Sequence, residues 1–184
     1  MLQIYNDNSS SVYVVGDLHG CINDLLCTLR RYEITEASII VAGDCGFGFS
    51  SLDGERYAMS KLHKYCLKNN VIIYFVRGNH DNPKYFKEKI FNTKAFKTIP
   101  DYSVICNVDK TNGETNFSVL CVGGATSIDR TTRIAKYNQN LITYMRYHGG
   151  NEQKAVENVI KTYWADEAPV YDETMLDELL KLDI

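Results

Sequence analysis

Residues 14–20 read VVGDLHG, an aspartate and a histidine two positions apart, set between glycines at the end of an apolar run. In extended chain, side chains two apart point the same way, so Asp17 and His19 can share one cation. The pattern recurs twice. Residues 43–46 read GDCG and residues 78–81 read GNHD, each again closing an apolar run. Together the three ends offer the carboxylates of Asp17 and Asp44, the imidazole of His19, the amide oxygen of Asn79 and a second imidazole, His80. That mixture of oxygen and nitrogen donors suits Mn²⁺, Fe or Zn²⁺ better than Ca²⁺, which prefers oxygen alone. Singly, an aspartate after glycine at a strand end is a turn former or helix cap. Three in order point to a site.

The elements that carry these ends are regular. SVYVVGD (11–17) reads as a buried strand, and INDLLCTLRRY (22–32) sets Leu25, Leu26, Leu29 and Tyr32 at helical spacing. ASIIVAGD (37–44) is a second apolar strand, residues 54–69 an amphipathic helix with Met59, Leu62 and Cys66, and NVIIYFVRGNHD (70–81) a third strand. Unalternated apolar strands separated by helices imply βαβ units and a parallel sheet covered on both faces. Ligands bind such sheets at the carboxyl ends of the strands, which is where the three motifs fall. Further on, DYSVICNV and FSVLCVGG flank the polar turn DKTNGETN and predict a hairpin. Residues 131–150 show no clear period and read as an irregular excursion, while 152–163 and 172–182 read as helices.

At 184 residues the chain has single-domain size, and 45% hydrophobic with 23% charged residues is ordinary for a globular protein. A formal net charge of −3 gives no electrostatic reason for nucleic-acid or membrane-surface binding. No apolar run approaches the ~20 residues of a membrane span. MLQIYNDNSS lacks a signal-peptide pattern, so the expected location is cytoplasmic. Six cysteines without a C-x-x-C pair read as reduced core thiols.

GDLHG, GDCG and RGNHD, in this order, resemble the GDxHG, GDxx and GNHD/GNHE signature of the calcineurin-like metallophosphoesterase superfamily. GGATSIDR, then Arg133, then YWADEAP and an acid-led helix resemble the GGAxSxDxxxR and WWPEExP region of bacterial members, with 134–160 as an insertion relative to shorter ones. The resemblance implies an α/β fold of the α/β/β/α sandwich type over residues 1–184, and a centre of two divalent transition metal ions, Mn, Fe or Zn. It implies that Asp17 and His19 hold the first metal, that Asp44 bridges both, and that Asn79 holds the second. His80 would face the substrate and aid the leaving group, and Asp81 would brace the loop. The implied reaction is hydrolysis of a phosphomonoester or phosphodiester by a hydroxide held between two cations, which clamp the attacking and leaving oxygens. Arg77 either contacts the substrate phosphate through its planar fork or forms an ordinary ion pair at its strand end.

The likeness has departures. Family members carry S/T-H-x-x-P and G-H-x-H motifs in their C-terminal half, whereas the four histidines here stand at 19, 63, 80 and 148, and both His63 and His148 read as surface residues. After DETMLDELLKL the sequence reads DI, where members continue into a strand ending in histidine. The expectation is a sandwich incomplete at its C-terminus, with one metal or none as alternatives to two, and an uncovered face open to self-association. Protein Ser/Thr phosphatases read GDxxDRG where this sequence has GDCGFG, so Phe47 replaces an acid and argues against that class. Cys45 reads as a small strand-end residue and not a nucleophile. Tyr163 and Trp164 read as cleft surface or core, and Asp129 with Arg130 as structural pairing. Two functions follow: a phosphoesterase, or a non-catalytic remnant of the fold that serves protein interaction. A nucleotide-binding domain has little support, because neither G-x-G-x-x-G nor a P-loop follows the first strand.

Overall fold

The structure is a computed structural model that describes residues 2–182, so the close of the sequence at 183–184 lies outside the described residues. Its larger sheet has four parallel strands in the order β2 (Ser11–Val15), β3 (Ala37–Ala42), β4 (Ile72–Val76) and β5 (Phe96–Ile99). Helices α1 (Ile22–Arg31), α2 (Leu52–Lys68) and α3 (Pro83–Lys87) lie between them in sequence. Helix α1 buries Ile22, Leu25, Leu26 and Leu29, an i, i+3, i+4, i+7 stripe. Ser51 caps α2 by accepting from the Gly54 N–H, acids occupy its first turn, and Met59, Leu62 and Cys66 are its buried side. These faces close over Ile39, Val41, Ile73 and Phe75 of the sheet, together with Phe47, Tyr85, Phe86 and Phe91. Fully burying each such large apolar side chain stabilises the fold by about 1.5–3 kcal/mol.

The smaller sheet pairs β1 (Ile4–Asp7) parallel with β6 (Ser103–Val108), and β6 antiparallel with β7 (Thr115–Cys121). A second core sits between the sheets, where Ile40, Tyr74, Val76 and Ile99 meet Ile105 and Cys121. Asp7, 1% exposed, stitches the layers polar-wise by accepting from Ser38 Oγ (2.6 Å) and Asn107 Nδ2 (3.1 Å). The expected hairpin and the α/β sandwich are thus both present. Helices α4 (Arg130–Tyr147), α5 (Glu152–Asn158) and α6 (Glu173–Leu179) follow the smaller sheet. No helix among the described residues is long and apolar enough to cross a membrane.

Several elements correct the sequence reading. Residues 131–150 are not irregular. Most of them form α4, which buries only Arg133 and Tyr137 and therefore carries no apolar stripe for periodicity to reveal. Helix α5 ends at Asn158, short of 163, and the following residues to 172 are irregular. Helix α6 forms where expected, capped by Asp172, yet none of its apolar residues is buried. Strand β2 is not a buried strand. It lies at the sheet edge, and Val14 is 68% exposed in an open cleft of about 510 Å³ shared with Val119 and Leu120. Strand β1 has no signature in the sequence, since four residues (IYND) are too few for a pattern.

Candidate metal centre

Strands β2, β3 and β4 are parallel neighbours, so their carboxyl ends emerge side by side. Two backbone hydrogen bonds splice the first two ends together: His19 N–H donates to the Asp44 carbonyl (2.8 Å) and Gly20 N–H to the Cys45 carbonyl (3.0 Å). That approach demands glycine. Gly46 has φ +89°, and a Cβ there would lie 2.0 Å from the Gly20 nitrogen. Gly78 packs just as tightly on the third end, where a Cβ would meet Asp44 Oδ1 at 2.0 Å.

The result brings Asp17, His19 and Asp44 into one group whose candidate ligand atoms all lie within 4.8 Å of one another. His19 Nε2 stands 2.6 Å from Asp17 Oδ1 and 3.9 Å from Asp44 Oδ2. All three residues hold positive φ, at 63°, 43° and 46°. Left-handed backbone is disfavoured for residues with a Cβ, although aspartate and histidine adopt it more readily than most. Two carboxylates and an imidazole converging from separate strand ends fit a divalent cation of the Mn, Fe or Zn type. Asn79 is half-buried beside them and donates from Nδ2 to Ser127 Oγ (2.6 Å), which leaves its amide oxygen unengaged by that bond. The His80 ring sits edge-on to His19 at 5.3 Å, and Phe49 flanks both rings, at 5.8 Å from His19 and 6.3 Å from His80. The His80 N–H donates to Asp44 Oδ1 (3.1 Å).

Asp81 braces this assembly from behind. Fully buried, it accepts four backbone N–H groups: Cys45 (3.0 Å) and Gly78 (2.8 Å) on Oδ2, Gly46 (2.7 Å) and Phe47 (3.0 Å) on Oδ1. One carboxylate thereby locks the loop after β3 to the loop after β4. Burial pushes its carboxyl above the ordinary value, against the pull of those four donors. Cys45 lies in the same buried layer and directs its thiol at the Val76 carbonyl (3.4 Å). Burial first, and then the Asp81 carboxylate, push that thiol well above its usual range, so it is a poor nucleophile.

Of the two alternatives for Arg77, the structure shows the ion pair, formed with Asp101. The guanidinium is buried, and its Nη1 and Nη2 groups donate to Asp101 Oδ2 (2.9 Å), the carbonyls of Asp166 and Glu167 (both 3.0 Å) and that of Gly123 (3.2 Å). His63 is half-buried and does not stand on the solvated face. It packs edge-on against Phe96 at 5.3 Å, with Nε2 buried and unpartnered, because its charged neighbours lie on the other side of the helix from the core. His148 is exposed at the end of α4 and stacked on Tyr144. Neither belongs to the group formed by Asp17, His19 and Asp44.

The sequence assigns no role to Ser127 or Glu167, although the motifs GGATSIDR and YWADEAP contain them, and Trp164, read as cleft surface or core, bonds to the His80 carbonyl. Glu167, 2% exposed, faces Arg133 (3.3 Å) and Arg130 (3.6 Å), and Arg133 also pairs with Asp129 (3.1 Å) and the Thr162 carbonyl. Asp129 and Arg130 are thus structural, as expected. The Glu167 carbonyl accepts from Ala125 N–H (3.1 Å), tying this segment to the loop that carries Ser127.

Comparison with curated proteins returns no match. The family model described as calcineurin-like phosphoesterase matches residues 10–180, nearly the whole chain. That span includes every residue of the strand-end cluster. The chain belongs to the calcineurin-like phosphoesterases, a lineage of metal-dependent hydrolases of phosphate esters.

Proposed function

We propose that this chain binds divalent metal at Asp17, His19 and Asp44 and hydrolyses a phosphomonoester or phosphodiester, with His80 assisting the leaving group. The observation that carries this reading is the convergence of those three side chains within 4.8 Å on left-handed backbone. Asn79 and the second face of the Asp44 carboxylate would hold a second ion. When bound, such ions supply positive charge to the phosphate oxygens and acidify a water.

The chain's own groups do the rest. Asp44 ties the site together, since its Oδ2 faces His19 while its Oδ1 accepts the His80 N–H at 3.1 Å. His80 holds its imidazole over the cluster, within reach of the oxygen that leaves, where it stabilises or protonates the developing charge. Phe49 walls the side of both rings. Manganese, iron and zinc all suit two carboxylates with an imidazole, so the three are tested in parallel.

The test is hydrolysis of 4-nitrophenyl phosphate and bis(4-nitrophenyl) phosphate by chelator-stripped protein, before and after Mn²⁺, Fe²⁺ or Zn²⁺ is restored. The expected result is background rate without metal and turnover with it. On phenyl phosphate, whose leaving group needs protonation, His80→Gln should lower kcat by about 10²-fold while metal content by elemental analysis stays at the native level. Metal-loaded protein that turns over neither ester would overturn the hydrolytic reading and leave the non-catalytic scaffold in its place.

A further inference from the structure

The chain has a single tryptophan, Trp164, in the irregular segment after α5. It stands 84 positions from His80, yet its indole N–H donates to the His80 carbonyl at 3.2 Å. The N–H of that same residue donates to Asp44 Oδ1 at 3.1 Å. Both polar groups of the His80 main chain are therefore held, one by the metal-site carboxylate and one by the indole. The indole is itself clasped. Gly48 closes on its edge so tightly that a Cβ there would sit 3.3 Å from Cζ2, and the Lys161 ammonium lies 5.5 Å over its ring. The segment behind it is anchored by Glu167 on Arg133 and by the Asp166 and Glu167 carbonyls on Arg77.

We propose that Trp164 is a positioning residue for the hydrolytic site, its indole N–H fixing the His80 main chain so that the imidazole stays over the Asp17–His19–Asp44 cluster. The proposal rests on the reading of His80 given above. A group that moves a proton in the transition state works only within a narrow range of positions, and a misplacement of ~1 Å costs up to about 10²-fold in rate. Loss of one neutral hydrogen bond that restrains it should cost about tenfold. Simple packing of the ring would not need the N–H at all.

Because Trp164 is the single tryptophan, biosynthetic replacement by β-(3-benzothienyl)alanine keeps the bicyclic shape and removes only the donor, at this position alone. With restored metal, kcat for phenyl phosphate, whose leaving group needs help, should fall about tenfold at unchanged KM. For 4-nitrophenyl phosphate, whose leaving group needs little, the change should stay within about twofold. 7-Azatryptophan, which retains the N–H, should restore native behaviour, and Trp164→Phe should repeat the benzothienyl pattern. A second readout needs no turnover: the ring ¹H–¹³C resonances of His80 should shift in the benzothienyl protein while those of His63 and His148 stay in place. Equal loss on both esters, or an unmoved His80 resonance, would overturn the proposal. If the native metal-loaded protein turns over neither ester, the hydrolytic reading fails, and the His80 resonance alone decides whether Trp164 positions that residue.

Discussion

Asp44→Asn should abolish metal-supported hydrolysis, lowering kcat by about 10³-fold or more, while the protein unfolds within about 1 kcal/mol of the native one. Asparagine matches aspartate in shape, so the tight Gly78 contact and the Asp44 backbone bond to His19 survive. What is lost is the negative charge of a side chain that faces both His19 and His80. Its Oδ2 lies 3.9 Å from His19 Nε2, and its Oδ1 accepts the His80 N–H. An amide turns an N–H₂ group either toward the cation site or toward the His80 N–H, where donor meets donor. Even outer-shell partners of a metal are worth ~10–100-fold, so Asp44, proposed as a direct ligand and bonded to the His80 N–H, should exceed that. Calorimetric titration with Mn²⁺ and steady-state rates on 4-nitrophenyl phosphate check it. Activity within tenfold of native would remove Asp44 from the centre of the site.

Asp81→Ala should have the opposite profile, a loss of fold. Four buried N–H groups from Cys45, Gly46, Phe47 and Gly78 share this carboxylate, and alanine offers them nothing. An unsatisfied buried donor costs ~1–3 kcal/mol, so the total should reach about 4 kcal/mol or more. Domains of this kind have ~5–15 kcal/mol in all, so a large share of the stability goes with one side chain. Asp81→Asn should recover only part of it, because its single carbonyl oxygen serves one pair of donors while its N–H₂ faces the other. Urea unfolding monitored by circular dichroism gives the difference from midpoint and slope. A change under 1 kcal/mol would mean that water or a rearranged loop replaces the carboxylate.

The site was far more legible in the sequence than its supports. Asp17, His19, Asp44, Asn79 and His80 sit at the ends of apolar strands, and strand ends in a parallel sheet converge by topology alone. The same logic misjudged β2, because an apolar run does not say whether a neighbour covers it, and here β2 has a partner on one side only. Helix α4 was invisible because a mostly solvated helix need not carry an apolar stripe. The carbonyl partners of Arg77, on Asp166 and Glu167, lie beyond local reading for another reason. Their bonds join residues 89 and 90 positions apart, and no spacing within a motif encodes such a distance. His63 misled because charged neighbours on a helix describe the faces beside it and not its own.

The left-handed backbone of Asp17, His19 and Asp44 also bears on how this protein responds to selection. Each such residue holds the fold on the order of 1 kcal/mol above an unstrained alternative. Glycine at any of the three would relax the chain and delete a ligand in the same step. A library screened for heat resistance alone is therefore expected to enrich substitutions at these positions, and a library screened for phosphate-ester turnover to reject them. Robustness and chemistry pull this trio in opposite directions, so improving one property here draws on the other.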